Sequence, residues 1–290
     1  GNPLPPDSGA GILCTETATL PFTSCGYTEL VPAAIAFVNA TAFGGTIALS
    51  GTRVYGAIGY SSGNLALGCL DAATGSPCPG QPYLHSGASG LIPQNLGQSS
   101  AFTSAFDDRV YVAGATLFCI NGADGSTCAG APWSSGIGLG SDGTYNAGAG
   151  TGGVANPVPR LDQTTLGVTG VCLLYYGKAQ AMNTTPPAPA CWTSGGVSVA
   201  APTGLTALVQ GPYGTSTTQV YQYEALQSYG YDPRRMYWFS PRYTTNWFQQ
   251  VTCYDWKTNT ACADFAAATI AQERYSITLD ANDANCMFTY

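Results

Sequence analysis

Short apolar runs separated by polar turns recur along the chain. Arg53-Val54-Tyr55, Arg109-Val110-Tyr111 and Arg235-Met236-Tyr237 each open a run rich in β-branched and aromatic residues, the composition that fits a pleated sheet surface. The first two runs begin 56 residues apart, and 126 residues, close to two such periods, separate the second from the third. The missing copy is expected at Thr169-Gly170-Val171-Cys172-Leu173, and a fifth near Cys286-Met287-Phe288. Residues 274–280 and 286–290 also read as strands. The Gly-rich stretch Gly136–Gly153 has no periodicity and reads as a loop, and residues 184–189 (TTPPAP) read as an extended insertion.

A second repeat follows the first. Cys69-LDAATGSP-Cys78, Cys119-INGADGST-Cys128 and Cys253-YDWKTNTA-Cys262 align without gaps, with eight residues between the cysteines of each pair. Partners across a hairpin with an even loop differ by an odd number, and nine is odd. The two cysteines can therefore face each other with α-carbons at about the 5.5 Å a disulfide requires. The second position after the first cysteine is Asp71, Asn121 or Asp255, whose side-chain oxygen suits a turn entry. The sixth is Gly75, Gly125 or Asn259, residue types that accept the left-handed conformation of a short hairpin loop. Cys14 and Cys25 are eleven apart and Cys172 and Cys191 nineteen apart, both odd, so each pair can also bridge a hairpin. Cys286 is left over, either as a buried free thiol or as an intermolecular link.

A repeat of 50 to 60 residues made of strands and turns suits one four-stranded propeller blade. The expected fold class is all-β: a single β-propeller over residues 1–290, with five blades of four antiparallel strands. The blades fall at about 29–78, 79–128, 129–200 and 201–262, with a composite of 263–290 and 1–28. In that composite the N-terminus supplies an outer hairpin and the C-terminus inner strands. Closure of this kind removes exposed sheet edges.

Composition narrows the function. The 290 residues include only nine Lys or Arg and sixteen Asp or Glu, for a net charge of −7; at 9% charged, the chain is far below the roughly 25% of an average domain. Phosphate binding needs clustered cations, so a nucleic-acid partner is not expected. Disorder is excluded, because 45% of the residues are hydrophobic. The abundance of Gly, Thr, Tyr and Val argues against a helical bundle. The longest apolar stretch, Leu30 to Phe43, is interrupted by Pro32 and Asn39, so membrane insertion is not expected. Eleven cysteines without a C-x-x-C pair, beside the sole histidine His85, point to disulfides rather than a metal site. That implies an oxidising, extracellular or cell-surface location. The absence of a leader before GNPLPPDSGAG is read as a mature secreted form. Asn39-Ala40-Thr41 and Asn183-Thr184-Thr185 match the glycosylation sequon.

The segment CLDAATGSPC with its preceding RVY strand resembles the repeat of quinoprotein-like propellers, in which a strand leads into an L-D-x-x-T-G turn. Cys253-YDWKTNTA-Cys262 is similar to the repeat C-[YF]-D-[WF]-x-T-x-x-x-C of large secreted bacterial surface proteins. The resemblance implies a propeller fold and a cell-surface setting. It does not imply quinone chemistry, since Cys78 and Cys128 stand where the quinoprotein repeat has its docking tryptophan. No cofactor and no catalytic residue are expected.

Three chemistries are weighed against this reading. A propeller glycoside hydrolase needs carboxylates converging on the channel; Asp107-Asp108 and Asp232 precede inner strands, but a turn cap or an ion pair with the neighbouring arginine is the favoured account of them. His85 lies in a Tyr-Leu-His-Ser-Gly loop with no nucleophile motif. A lectin-like site is suggested by the aromatic-rich region 221–250, where Tyr237, Trp238, Tyr243 and Trp247 offer faces for sugar rings, and Arg242 and Asn246 offer polar contacts. The competing reading is that such aromatics pack between sheets. Residues 280–285 and 140–145 carry oxygen ligands for calcium, but neither reproduces an EF-hand loop. The expectation is a non-enzymatic structural or adhesive protein whose partners are copies of itself or other surface proteins. Glycan binding and glycoside hydrolysis are the alternatives.

Overall fold

The computed structural model describes residues 10–16, 23–31, 47–60, 64–85, 103–113, 117–134, 155–175, 188–209, 225–227, 234–243, 247–265, 269–270, 277–279 and 287–289. These residues are mostly strands in antiparallel sheets, with one short helix among them. The chain divides into two compact units, Gly1–Trp133 and Ser134–Tyr290.

The first unit begins with a hairpin of β1 (Ala10–Glu16) and β2 (Thr23–Val31). Its first full sheet contains β3 (Ile47–Ser50), β4 (Arg53–Tyr60), β5 (Asn64–Asp71), β6 (Ser76–Pro77) and β7 (Tyr83–His85). The order is β3-β4-β5-β6, and β7 also pairs with β5 further along the same edge. The outer position of this sheet is thus filled by two pieces of chain. The second sheet contains β8 (Thr103–Phe106), β9 (Arg109–Ala113) and β10 (Leu117–Asn121). Single bridges from Ile120 to Thr127 and from Leu117 to Trp133 repeat the two-piece edge there.

In the second unit, β11 (Ala155–Leu161), β12 (Val168–Tyr175), β13 (Ala190–Thr193) and β14 (Ser198–Val199) form a four-stranded meander. The helix α1 (Thr203–Val209) follows. A further sheet contains β15 (Ala225–Gln227), β16 (Arg235–Tyr243), β17 (Trp247–Asp255) and β18 (Thr260–Ala261), with β19 (Thr269–Ile270) also on β17. A hairpin of β20 (Ile277–Leu279) and β21 (Met287–Thr289) ends the described chain.

The apolar runs form strands because both faces of these sheets are covered. Val110, Tyr111 and Val112 are all fully buried, as are Leu117, Cys119 and Ile120. A strand buried on both faces needs a continuous apolar run rather than an alternating one. Burying each such side chain contributes about 1.5–3 kcal/mol. In the first unit Tyr55, Leu67, Tyr83, Val110, Phe118 and Ile120 pack into one core. In the second, Val158, Leu174, Leu205, Met236, Tyr254 and Trp256 pack into another.

The expected strand near Thr169 exists, as β12, and its register explains the irregular spacing of the cysteines. Tyr55 pairs with Cys69, Tyr111 with Cys119 and Tyr237 with Cys253. In the third sheet the corresponding pair is Cys172 and Cys191. Cys172 therefore stands where the other sheets carry the tyrosine of the RVY run, and Gly170 where they carry the arginine. A Cβ at Gly170 would collide with the backbone of Trp192 and Thr193, which leaves no room for an arginine there.

Candidate functional site: the stapled hairpin turns

Four disulfides are present among the described residues: Cys69–Cys78, Cys119–Cys128, Cys172–Cys191 and Cys253–Cys262. Three of them join α-carbons 5.3, 5.3 and 5.4 Å apart. In each of these the second cysteine donates its backbone N–H to the carbonyl of the first, at 2.9, 2.9 and 3.1 Å. The fourth disulfide connects the second and third strands of its sheet instead, with α-carbons 4.1 Å apart. The sulfurs of Cys14 and Cys25 and all of Cys286 lie outside the described residues. The β1–β2 register sets Cys14 opposite Gly26, with a shift between Cys14 and Thr15.

The turns are built as the spacing implies. Asp71, Asn121 and Asp255 each accept a hydrogen bond through the side-chain oxygen from the N–H two residues on, at 2.9, 3.0 and 2.9 Å. Gly75, Gly125 and Asn259 have φ of 69°, 75° and 55°, and each donates its N–H to the carbonyl four residues back. A fourth turn of this kind, Leu161-Asp162-Gln163-Thr164-Thr165-Leu166, was not anticipated. Asp162 accepts from the N–H groups of Thr164 and Thr165, and Leu166 takes the left-handed position at φ 59°. The L-D-x-x-T signature was visible in the sequence; leucine in place of glycine hid it.

A further motif is legible in the sequence. Cys78-Pro79-Gly80-Gln81-Pro82-Tyr83 and Cys128-Ala129-Gly130-Ala131-Pro132-Trp133 share the pattern C-x-G-x-P-aromatic. Both glycines have positive φ, 77° and 72°, and both prolines follow cis peptides. Tyr83 donates its hydroxyl to the Pro79 carbonyl at 3.1 Å, and Trp133 its indole N–H to the Ala129 carbonyl at 3.3 Å. This segment returns the chain to the sheet edge after the staple and buries an aromatic ring beneath it.

Each turn is also a packing element. The second hairpin turn seats on the first sheet: Arg53 donates to the Gly122 carbonyl at 2.6 Å, and the Tyr55 hydroxyl donates to the same oxygen at 3.2 Å. A Cβ on Gly125 would overlap the Tyr83 ring, so that glycine is held by contact as well as by conformation. In the second unit the Asn259 side-chain oxygen accepts from the Gly204 N–H at 3.0 Å and from the Tyr254 hydroxyl at 2.8 Å. That joins the turn of the Cys253–Cys262 hairpin to α1.

The few charges are arranged locally. Asp107 and Asp108 form the β8–β9 turn, both with positive φ, and the Asp107 carboxylate pairs with Arg109 at 3.1 Å. Asp255 is buried in its turn and lies 3.5 Å from the Arg234 Nε. Asp264 pairs with Arg235 at 2.6 Å, which holds its carboxyl below the ordinary range and the guanidinium above its own. Hydrogen bonds from Ser126, and from Thr164 and Thr165, likewise lower Asp124 and Asp162. Burial raises Tyr55, Tyr83, Tyr111 and Tyr254. No group of three or more metal-ligating side chains occurs among the described residues.

The sequence-predicted ligand residues distribute as follows. Tyr237 is 3% exposed and meets Phe265 edge-on at 5.5 Å, so its ring packs in the interior. Trp238, Arg242, Tyr243 and Trp247 lie on β16 and β17, where the register pairs residue 243 with 247 and residue 242 with 248. Their side chains, and the whole of Asn246, lie outside the described residues, as do Asp232, both sequons and both candidate calcium loops. His85 lies at the end of β7, with its ring edge-on to Phe118 at 5.8 Å. Among the described residues no helix is long and apolar enough to cross a membrane.

The arrangement defines a disulfide-stapled, antiparallel all-β repeat protein. No protein-family model and no curated protein matches the chain. Among solved structures it is similar to the computationally designed protein Ika8, at 10% identity and a TM-score of 0.33, over 84% of this chain and 66% of that one. It spans just under two thirds of that protein. It is similar also to a "putative 6-phosphogluconolactonase" from Bacteroides fragilis, at 11% identity and 0.37, over 99% and 89%. A third is the WD40 domain of SCAP from fission yeast, at 12% and 0.29, over 92% and 60%. These scores are low, and no property of those proteins is carried to this chain.

Proposed function

We propose that this chain is a non-enzymatic structural or adhesive subunit of the cell exterior, acting through contacts with copies of itself or with other surface proteins. In this reading the sheets are blades of a closed five-bladed propeller, completed by strands from both termini. The observation that carries this reading is the disulfide placed at one cross-strand register in three sheets and shifted by one strand in another. Staples of this kind suit an oxidising exterior. They tie the hairpin ends into rigid knuckles, and residues 72–77, 123–124 and 257–258 of those knuckles are exposed. These residues are mostly small and uncharged, so a protein partner covers them with little loss of charge hydration.

Electron microscopy of the purified, oxidised protein tests the proposal. Ordered layers or filaments, with a five-fold annular subunit in class averages, are the expected result. A dispersed monomer at millimolar concentration that also fails to bind cells would overturn it. Binding on a glycan array that disappears with Trp247→Ala would move the function to carbohydrate recognition instead.

A further inference from the structure

His85, the chain's sole histidine, sits where two sheets of the first unit meet. It ends β7, a three-residue strand attached to β5 through the pairs Leu65–His85, Ala66–Leu84 and Leu67–Tyr83. Its ring reaches the second sheet in two ways. Nδ1 lies 3.3 Å from the hydroxyl of Thr127, and the ring plane meets Phe118 edge-on. Nε2 is buried and has no hydrogen-bond partner. We propose that His85 is an acid-sensitive latch: as a neutral ring it ties β7 to the turn of the second hairpin, and on protonation it releases that contact.

The geometry gives the direction. The neutral ring has one N–H and one bare nitrogen, and an aromatic neighbour accommodates it. Protonation makes both nitrogens donors and places a positive charge where Nε2 has no acceptor. Among the described residues, the groups that face the ring compensate only in part. On its own strand the titratable neighbour is Tyr83, itself held neutral by burial. On the second hairpin the neighbours are Phe118, Thr127 and the backbone of Gly125; the carboxylate of that turn, Asp124, is exposed and engaged by Ser126. Burial lowers the imidazole below its ordinary range, and the Gly125 backbone offsets only part of this. For a base depressed in the folded state, the stabilisation is complete above the ordinary histidine pKa near 6.5. It is lost as pH falls from there through the folded value.

The test uses the whole oxidised protein. Proton NMR of the His85 ring follows its titration, and amide hydrogen exchange follows residues 83–85 and 127–128 between pH 7.5 and 5. A ring midpoint below 6.5 is expected. After correction for intrinsic exchange, protection at those amides should fall by up to about tenfold for each unit the midpoint is depressed. The β11–β12 amides should stay flat over the same range, as should all five amides in His85→Gln. A midpoint at or above 6.5 overturns the proposal, and so does an equal loss of protection in the variant. The ring titration decides the matter on the unmodified protein if His85→Gln does not fold.

Discussion

Gly75 and Gly125 occupy the same place in two turns, both left-handed, yet their surroundings differ. A Cβ on Gly75 meets nothing within 4 Å, whereas one on Gly125 overlaps the Tyr83 ring. Gly75→Ala should therefore cost only the left-handed penalty of about 1–2 kcal/mol. Gly125→Ala should cost about 3 kcal/mol, because overpacking adds to that penalty. Denaturant unfolding of the two variants measures the difference, and equal losses would refute the packing argument. The conformation of these glycines was legible in the aligned repeats. The contact with Tyr83 was not, because it joins residues from two different sheets. Asp255 makes a similar point. It holds two turn N–H groups and faces Arg234, all while 7% exposed. Asp255→Ala should cost about 1–3 kcal/mol, because the turn N–H groups of Lys257 and Thr258 and the Arg234 guanidinium all lose this carboxylate.

At the scale of the element, the staples differ in kind. Cys172–Cys191 closes 19 residues inside a core where both sulfurs are buried, while Cys128 of the Cys119–Cys128 pair is half-buried. Chain entropy assigns about 3 kcal/mol to the longer loop and about 2.5 kcal/mol to the nine-residue ones. Replacing Cys172 and Cys191 together by alanine should thus be the more damaging change, since it also opens a cavity. Under mild reduction of the native protein, alkylation with mass spectrometry should find Cys119 and Cys128 labelled before Cys172 and Cys191. The possibility of each pair was legible, because odd spacing across a hairpin is a local property. That Cys172 takes the place of a tyrosine was not, since only the register shows which residue lies across from Cys191.

For the whole molecule, few charges mean few titrations, and these fall in separate pH windows. Asp124, Asp162 and Asp264 are depressed in the folded state. What they contribute is present above the ordinary carboxylate range and lost as pH falls through their folded values. Tyr55, Tyr83 and Tyr111 are raised by burial. Their neutral forms suit the fold, so stability is full below about pH 10 and declines as pH rises through the folded values. Thermal melts across pH should show a broad plateau between these limits, stepped only near the histidine window. Ultraviolet titration should find these tyrosines ionising later than in the unfolded chain, and normal titration of all the tyrosines would contradict the described burial.

The sequence by itself determined the three C-x8-C hairpins, their staples and the residues of their turns. Those features join positions nine residues apart, and a short loop leaves two cysteines and one left-handed residue little conformational choice. It also located the third-sheet strand from spacing alone. Only the tertiary structure decided that Tyr237 is interior, that Gly125 is locked by a ring, and that His85 ends against Thr127. An aromatic run on a sheet covered on both sides carries no mark of which ring is reachable. The decisive partners, such as Arg53 with Gly122, lie 69 residues apart. Contacts of that range follow from how sheets pack, and no local pattern encodes them.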